Sequence, residues 1–213
     1  MTESYTTLAA PCQGLVNERR SRFLAYIYPI AHEQEARPLV AAQRAEHHGA
    51  RHWCYAYILG HDGEYHRVSD DGEPSGSAGR PMLGVLRSRN LTQVLAIVVR
   101  YFGGVKLGVP GLIAAYRGAT EDALSRGECV VRPVEVRMAL TYAYAAQHEV
   151  MGMVKATGGL VEEETYGAEC RLVGRWPVGR RDEAQQRLGA WAHVEPLPQA
   201  GAYEGVLGME LGG

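Results

Sequence analysis

The chain has 213 residues, of which 46% are apolar and 22% charged, with a formal net charge of -2. That balance excludes a disordered polyelectrolyte and fits one large or two small folded domains. The longest apolar run, 94–99, falls far short of the roughly 20 residues a bilayer-spanning helix requires, and the first residues, "MTESYTTLAAPCQG", lack a basic stretch followed by a long apolar one, so a cytoplasmic location and no membrane partner are expected.

In chain order, "SRFLAYIYPI" (21–30) alternates and is rich in aromatic and β-branched residues, which predicts a strand. "AHEQEARPLVAAQRAEHHG" follows as a helix with Ala36, Leu39, Val40 and Gln43 on one face and Gly49 as its stop. "HWCYAYILG" and "EYHRVS" are two strands joined by a tight turn at "HDG". After a glycine-rich loop, "AGRPMLGVLRSRN" predicts a short helix with Pro81 in its first turn. "LTQVLAIVVRYF" is apolar on both faces, as a central covered strand is. A second glycine-rich loop, 102–111, enters a helix whose inward face takes Leu112, Ile113, Tyr116, Ala119, Ala123 and Leu124. "ECVVRP" closes this part, and Pro133 marks a boundary.

The remaining residues predict a strand at "VEVRMALTYAYA", a helix at "AQHEVMGMVKATGG", a hairpin of "LVEEETYG" and "AECRLVGRWPV", a helix at "GRRDEAQQRLGAWA" and a closing strand at "YEGVLGMEL". That β-α-β-β-α-β order is the ferredoxin-like one. The division is therefore 1–133 and 134–213.

Cys12, Cys54, Cys129 and Cys170 lie too far apart for a CxxC site and are expected to be buried reduced thiols. His47, His48, His52, His61 and His66 are read as scattered histidines, since the stop at Gly49 splits the first pair from the third. The charge distribution is more informative: six basic residues and no acid lie between Arg80 and Arg117, whereas 138–213 holds ten acids and six bases.

Two segments carry the candidate chemistry. In "RVSDDGEPSGSAGRPML" (67–83), Asp70, Asp71 and Glu73 are hard oxygen ligands beside Ser75 and Gly76, but their spacing is neither an EF-hand nor a GxSxG elbow. Three readings stand. The acids hold a cation at a catalytic site; the glycine-lined entry to a helix cradles an anion with Arg80; or the loop is a turn with Gly72 at positive φ and Glu73 or Ser77 as helix cap. In "RYFGGVKLGVPG", Arg100 and Lys106 are cations, Tyr101 and Phe102 are stacking faces, and Gly103 and Gly104 expose backbone, a combination suited to a nucleotide or single-stranded nucleic acid. Arg117 lies one helical turn and more beyond. No cofactor motif is present, and any metal is left unassigned.

"SRFLA", "HWCYAYILG", "SDDGEPSGSAGRPML" and "VVRYFGGVKLG" strongly resemble the YigZ/IMPACT family over about residues 18–127. The resemblance implies an α+β, two-domain protein. Its N-terminal domain would be like domain 2 of ribosomal protein S5, a fold shared with a translational GTPase domain and small-molecule kinases. Its C-terminal domain would be ferredoxin-like, similar to the last domain of elongation factor G. Eukaryotic IMPACT proteins restrain the starvation-responsive kinase of translation initiation by competing for its ribosome-associated activator. They carry an added RWD domain that this chain does not show, so that partner is not carried over, and kinship with kinases supplies no kinase activity. The family reads roughly LGTGGLVRAY where this chain has "LGVPGLIAAY" (107–116), which removes a hydroxyl at Val109 and an N–H at Pro110.

The expectation is a cytosolic, non-catalytic factor that binds RNA, the ribosome or another translation component and modulates translation, a stress-response role included. Its anion-binding residues would be Arg80, Arg100, Tyr101, Lys106 and Arg117. The alternatives are a protein-interaction module and a metal-assisted hydrolase or phosphoryl-transfer enzyme using Asp70, Asp71 and Glu73.

Overall fold

The computed structural model describes residues 2–197 and is mixed α+β. It divides into two compact units, Thr2–Arg132 and, among the described residues, 133–197.

The first unit comprises β1 (Ser4–Leu8), β2 (Cys12–Glu18), β3 (Ser21–Pro29), α1 (Glu33–Glu46), β4 (His52–Leu59), β5 (Tyr65–Ser69), α2 (Gly79–Ser88), β6 (Val94–Tyr101), α3 (Gly108–Arg126) and β7 (Cys129–Pro133). Five strands form one antiparallel sheet in the order β2-β3-β6-β4-β5, and β1 pairs with β7 separately. β6 is central, and all but its last residue are buried. Alternation sends Val94, Ala96 and Val98 to the face covered by α2 and α3, together with Phe23, Ala25, Ile27, Cys54 and Ala56. Leu95 and Ile97 point the other way, under α1, with Tyr57, Leu59 and Ala36.

Three sequence readings change in this unit. β1 and β2 add two strands before Ser21; β2 is an edge strand whose pattern is blurred by Gln13, Gly14 and Asn17. Ile113 is exposed rather than core, while Leu112, Tyr116, Ala119, Ala123 and Leu124 are buried on the inward face of α3. Cys129 is an exposed thiol, whereas Cys12, Cys54 and Cys170 are buried and free.

The second unit comprises β8 (Glu135–Tyr142), α4 (Gln147–Ala156), β9 (Leu160–Thr165), β10 (Cys170–Pro177), α5 (Arg181–Leu188) and β11 (His193–Leu197). Its sheet order, β11-β8-β10-β9, is that of a ferredoxin-like split βαβ unit. Met138, Leu140, Leu172 and Trp176 pack against Val150 and Val154 of α4 and Ala184 and Leu188 of α5. The closing strand expected at 203–211 lies outside the described residues; the strand that completes the sheet is β11, an edge strand that tolerates Pro196. Among the described residues no helix is long and apolar enough to cross a membrane.

Candidate functional site

The first glycine-rich loop leaves β5 and enters α2, and its three acids all turn inward. Asp70 Oδ1 accepts the backbone N–H groups of Ala78 (3.0 Å) and Gly79 (2.8 Å), and Oδ2 accepts that of Gly76 (2.7 Å). The carboxylate thus occupies the place at the start of α2 that an anion would take. Burial pushes the Asp70 carboxyl up, but the three N–H groups and the charge of Arg80 outweigh it and hold the group below its ordinary value. The helix cap is therefore Asp70, not Glu73 or Ser77, and the side chain of Ser77 donates to the Pro74 carbonyl instead.

Asp71 ties the loop to the opposite side of β4. Its Oδ2 accepts the Trp53 N–H at 2.8 Å, its Oδ1 accepts Arg44 Nη2 at 2.5 Å, and its carbonyl oxygen lies 2.9 Å from His52 Nδ1. Asp71 (φ +42°) and Gly72 (φ +85°) both take left-handed backbone, which turns the chain there.

Glu73 is the deepest of the three. Arg100 Nη1 lies 2.7 and 3.0 Å from its two carboxylate oxygens, and the Tyr116 hydroxyl donates to Oε1 at 2.8 Å. The side chains of Glu73 and Arg100 are only 3% and 7% exposed, so the ion pair is sealed from water. Cys54 extends the cluster, with Sγ 3.2 Å from the Tyr116 hydroxyl and 3.0 Å from the Asp70 carbonyl oxygen. Burial, chiefly, pushes both the Cys54 thiol and the Tyr116 hydroxyl up, so each keeps its proton and donates at neutral pH. The two loops meet on this Glu73–Arg100–Tyr116 link.

Arg100 is therefore an internal partner of Glu73, stacked against Phe23 and Phe102 at 5.4 and 5.5 Å, and not a cation presented to a ligand. Tyr101 also departs from its expected role. The next residue on a strand faces the other side of the sheet, where its hydroxyl lies 3.0 Å from His47 Nδ1 while His47 Nε2 meets Tyr26. Gly103 is compelled by space: a Cβ there would fall 2.1 Å from the Arg20 carbonyl carbon, and its N–H donates to Ser21 Oγ. Gly104 takes a φ of +85° at the exposed tip.

Of the remaining expected site residues, Ser75, Arg80 and Lys106 are exposed, and Arg117 is exposed but paired with Glu121 at 3.3 Å. Arg80 and Lys106 make no ion pair or hydrogen bond among the described residues. The start of α3 has no side-chain cap and no acid in its first turn. Phe102, Val105, Val109 and Ile113 stand exposed around it. Sequence reasoning missed Tyr116 and Cys54 as polar partners, because helical and strand spacing mark both simply as core. Among the described residues, no group of three or more His, Cys, Asp or Glu side chains is placed to hold a metal ion.

The model of the Impact N-terminal domain family matches residues 19–124, a span that contains both loops. The chain is 34% identical over 166 residues to IMPACT family member YvyE of Bacillus subtilis, covering 78% of this chain and 76% of that protein. It is 41% identical over 162 residues to an IMPACT family member of Thermus thermophilus, covering 76% and 87%. A crystal structure of a hypothetical protein superposes with a TM-score of 0.73 at 29% identity, over 93% of this chain and all of the other. Motifs, fold and relatives agree: the chain belongs to the IMPACT family.

Proposed function

We propose that this protein is a cytoplasmic, non-catalytic factor that binds RNA of the translation machinery through the face built by the two glycine-rich loops. One observation carries the reading. Between Gly72 and Gly118 the single acid, Glu73, is buried and neutralised by Arg100, while Arg80 and Lys106 stand exposed with no ion pair or hydrogen bond among the described residues. Such a surface attracts phosphate backbone, and its affinity falls as salt rises. The carboxylate oxygens that a metal-assisted hydrolase would need are committed to Gly76, Ala78, Gly79, Trp53, Arg44, Arg100 and Tyr116, which favours binding over catalysis.

The experiment is filter binding of the full chain to ribosomal RNA across a salt series. Arg80→Glu/Lys106→Glu should weaken binding at least tenfold and flatten the dependence of log K on log salt by about 1–2 units. Salt-independent binding, or no effect of the double change, would sink this reading. A second reading, a protein partner, is favoured by the exposed apolar Phe102, Val105, Val109 and Ile113. It predicts capture of the same partner after nuclease treatment, lost in Phe102→Asp.

A further inference from the structure

The sheet face opposite α2 and α3 carries a groove between α1 and the outer strands β4 and β5, with a volume of about 750 Å³, within the range of pockets that hold small organic ligands. Its helix wall mixes aliphatic residues, Val40 among them, with charged and polar ones, and its floor is made by Tyr55 and Tyr57, whose rings are parallel to within 3° with centroids 6.4 Å apart. Tyr57 is buried, leaving half-buried Tyr55 as the aromatic surface within reach. Arg37, Arg44 and Arg67 line the same groove.

The charges there are unevenly committed. Glu33, the single acid in the lining, accepts the Tyr57 hydroxyl at 2.6 Å and Arg67 Nη1 at 3.0 Å. Arg44 is held by Asp71 at 2.5 Å. Arg37 is exposed and has no hydrogen bond or ion pair among the described residues. A site with an aromatic floor, aliphatic side chains on its helix wall and one guanidinium, that of Arg37, left over matches a planar ring that carries an anion, because a guanidinium fork pairs with phosphate oxygens and a tyrosine face takes a base.

We propose that this groove binds a nucleoside monophosphate, with the base against Tyr55 and the phosphate against Arg37, the lining guanidinium that no carboxylate holds among the described residues. The groove adjoins the first loop through the Arg44–Asp71 pair but is lined by neither Arg80 nor Lys106, so the proposal does not depend on RNA binding through those two cations. The test is isothermal titration calorimetry of the full chain with AMP and UMP, with the matching nucleosides, inorganic phosphate and tetraglutamate as further arms. At least one nucleotide should bind, with its nucleoside, phosphate alone and tetraglutamate each at least tenfold weaker. Arg37→Glu, an exposed change that leaves the fold intact, should weaken it at least tenfold, as should Tyr55→Ser, while Arg80→Glu/Lys106→Glu leaves it unchanged. Absence of heat with both nucleotides at millimolar concentration, equal binding of tetraglutamate, indifference to Arg37→Glu or loss in the Arg80/Lys106 variant would each overturn the proposal.

Discussion

Replacing Glu73 by Gln leaves the Arg100 guanidinium charged, 7% exposed and without a counter-ion, while Tyr116 still finds an oxygen to donate to. Breaking a buried pair by removing one partner costs about 3–5 kcal/mol, since the surviving charge has lost both water and its neutraliser. Glu73→Leu/Arg100→Met/Tyr116→Phe removes both charges and the hydroxyl that would otherwise be orphaned, and it keeps the Cys54 bond to the Asp70 carbonyl oxygen. It should lie within about 1–2 kcal/mol of the native protein, because well-packed apolar replacements of a buried pair are often neutral. Native-state hydrogen exchange reads this unit by unit. Amides of β3, β4 and β6 should open about 10²- to 4 × 10³-fold more readily in Glu73→Gln, for a cost of about 3–5 kcal/mol at tenfold per 1.4 kcal/mol, and return toward native protection in the triple variant. Amides of β8 and β10 serve as the reference. A change in opening below about fivefold in Glu73→Gln would refute the brace. So would millimolar Mg²⁺ or Ca²⁺ that protects the native protein and not the variant, because the carboxylate would then be a cation ligand.

Other consequences follow from the same contacts. Asp70→Ala removes three charge-assisted bonds at the start of α2 and should cost about 2–4 kcal/mol in urea unfolding. Because the folded Asp70 carboxyl is held below its unfolded value, its contribution is complete above that unfolded value and is lost as pH falls through the folded one. Acid unfolding should therefore keep less dependence on pH below about 4 in Asp70→Asn. Gly103→Ala forces the Arg20 backbone to move and should destabilise by roughly 1–3 kcal/mol by thermal denaturation, whereas Gly104→Ala faces open space and carries only the strain of its positive φ. In iodoacetamide labelling of the native protein Cys129 should react first and Cys54 only on unfolding, since burial keeps the Cys54 thiol protonated; rapid native labelling of Cys54 would contradict the cluster.

Much of the fold is readable from periodicity. β6 declares itself by an apolar run on both faces, α3 by its inward stripe, and the second unit by its element order. Strands that rest on long-range pairing are less visible: β2 mixes Gln13, Gly14 and Asn17 into its pattern, and β11 contains Pro196, so neither alternates cleanly. The site is legible as a place but not as a set of roles. Arg100 shares the parity of Val94, Ala96 and Val98, which assigns it to the covered face, yet only the fold reveals Glu73, 27 residues earlier in the chain, as its partner. Parity likewise sends Tyr101 to the α1 side, where it meets His47. Asp70 caps a helix that begins nine residues later, beyond the reach of any local capping pattern.

The central claim is that the acids brace the loops while the exposed cations do the binding. Its most direct measurement compares the RNA affinity of two folded variants at one low salt concentration. Glu73→Leu/Arg100→Met/Tyr116→Phe should bind within about twofold of the native protein, while Arg80→Glu/Lys106→Glu should lose at least tenfold. The reverse pattern, affinity lost with the buried cluster and kept with the surface cations reversed, would contradict the account.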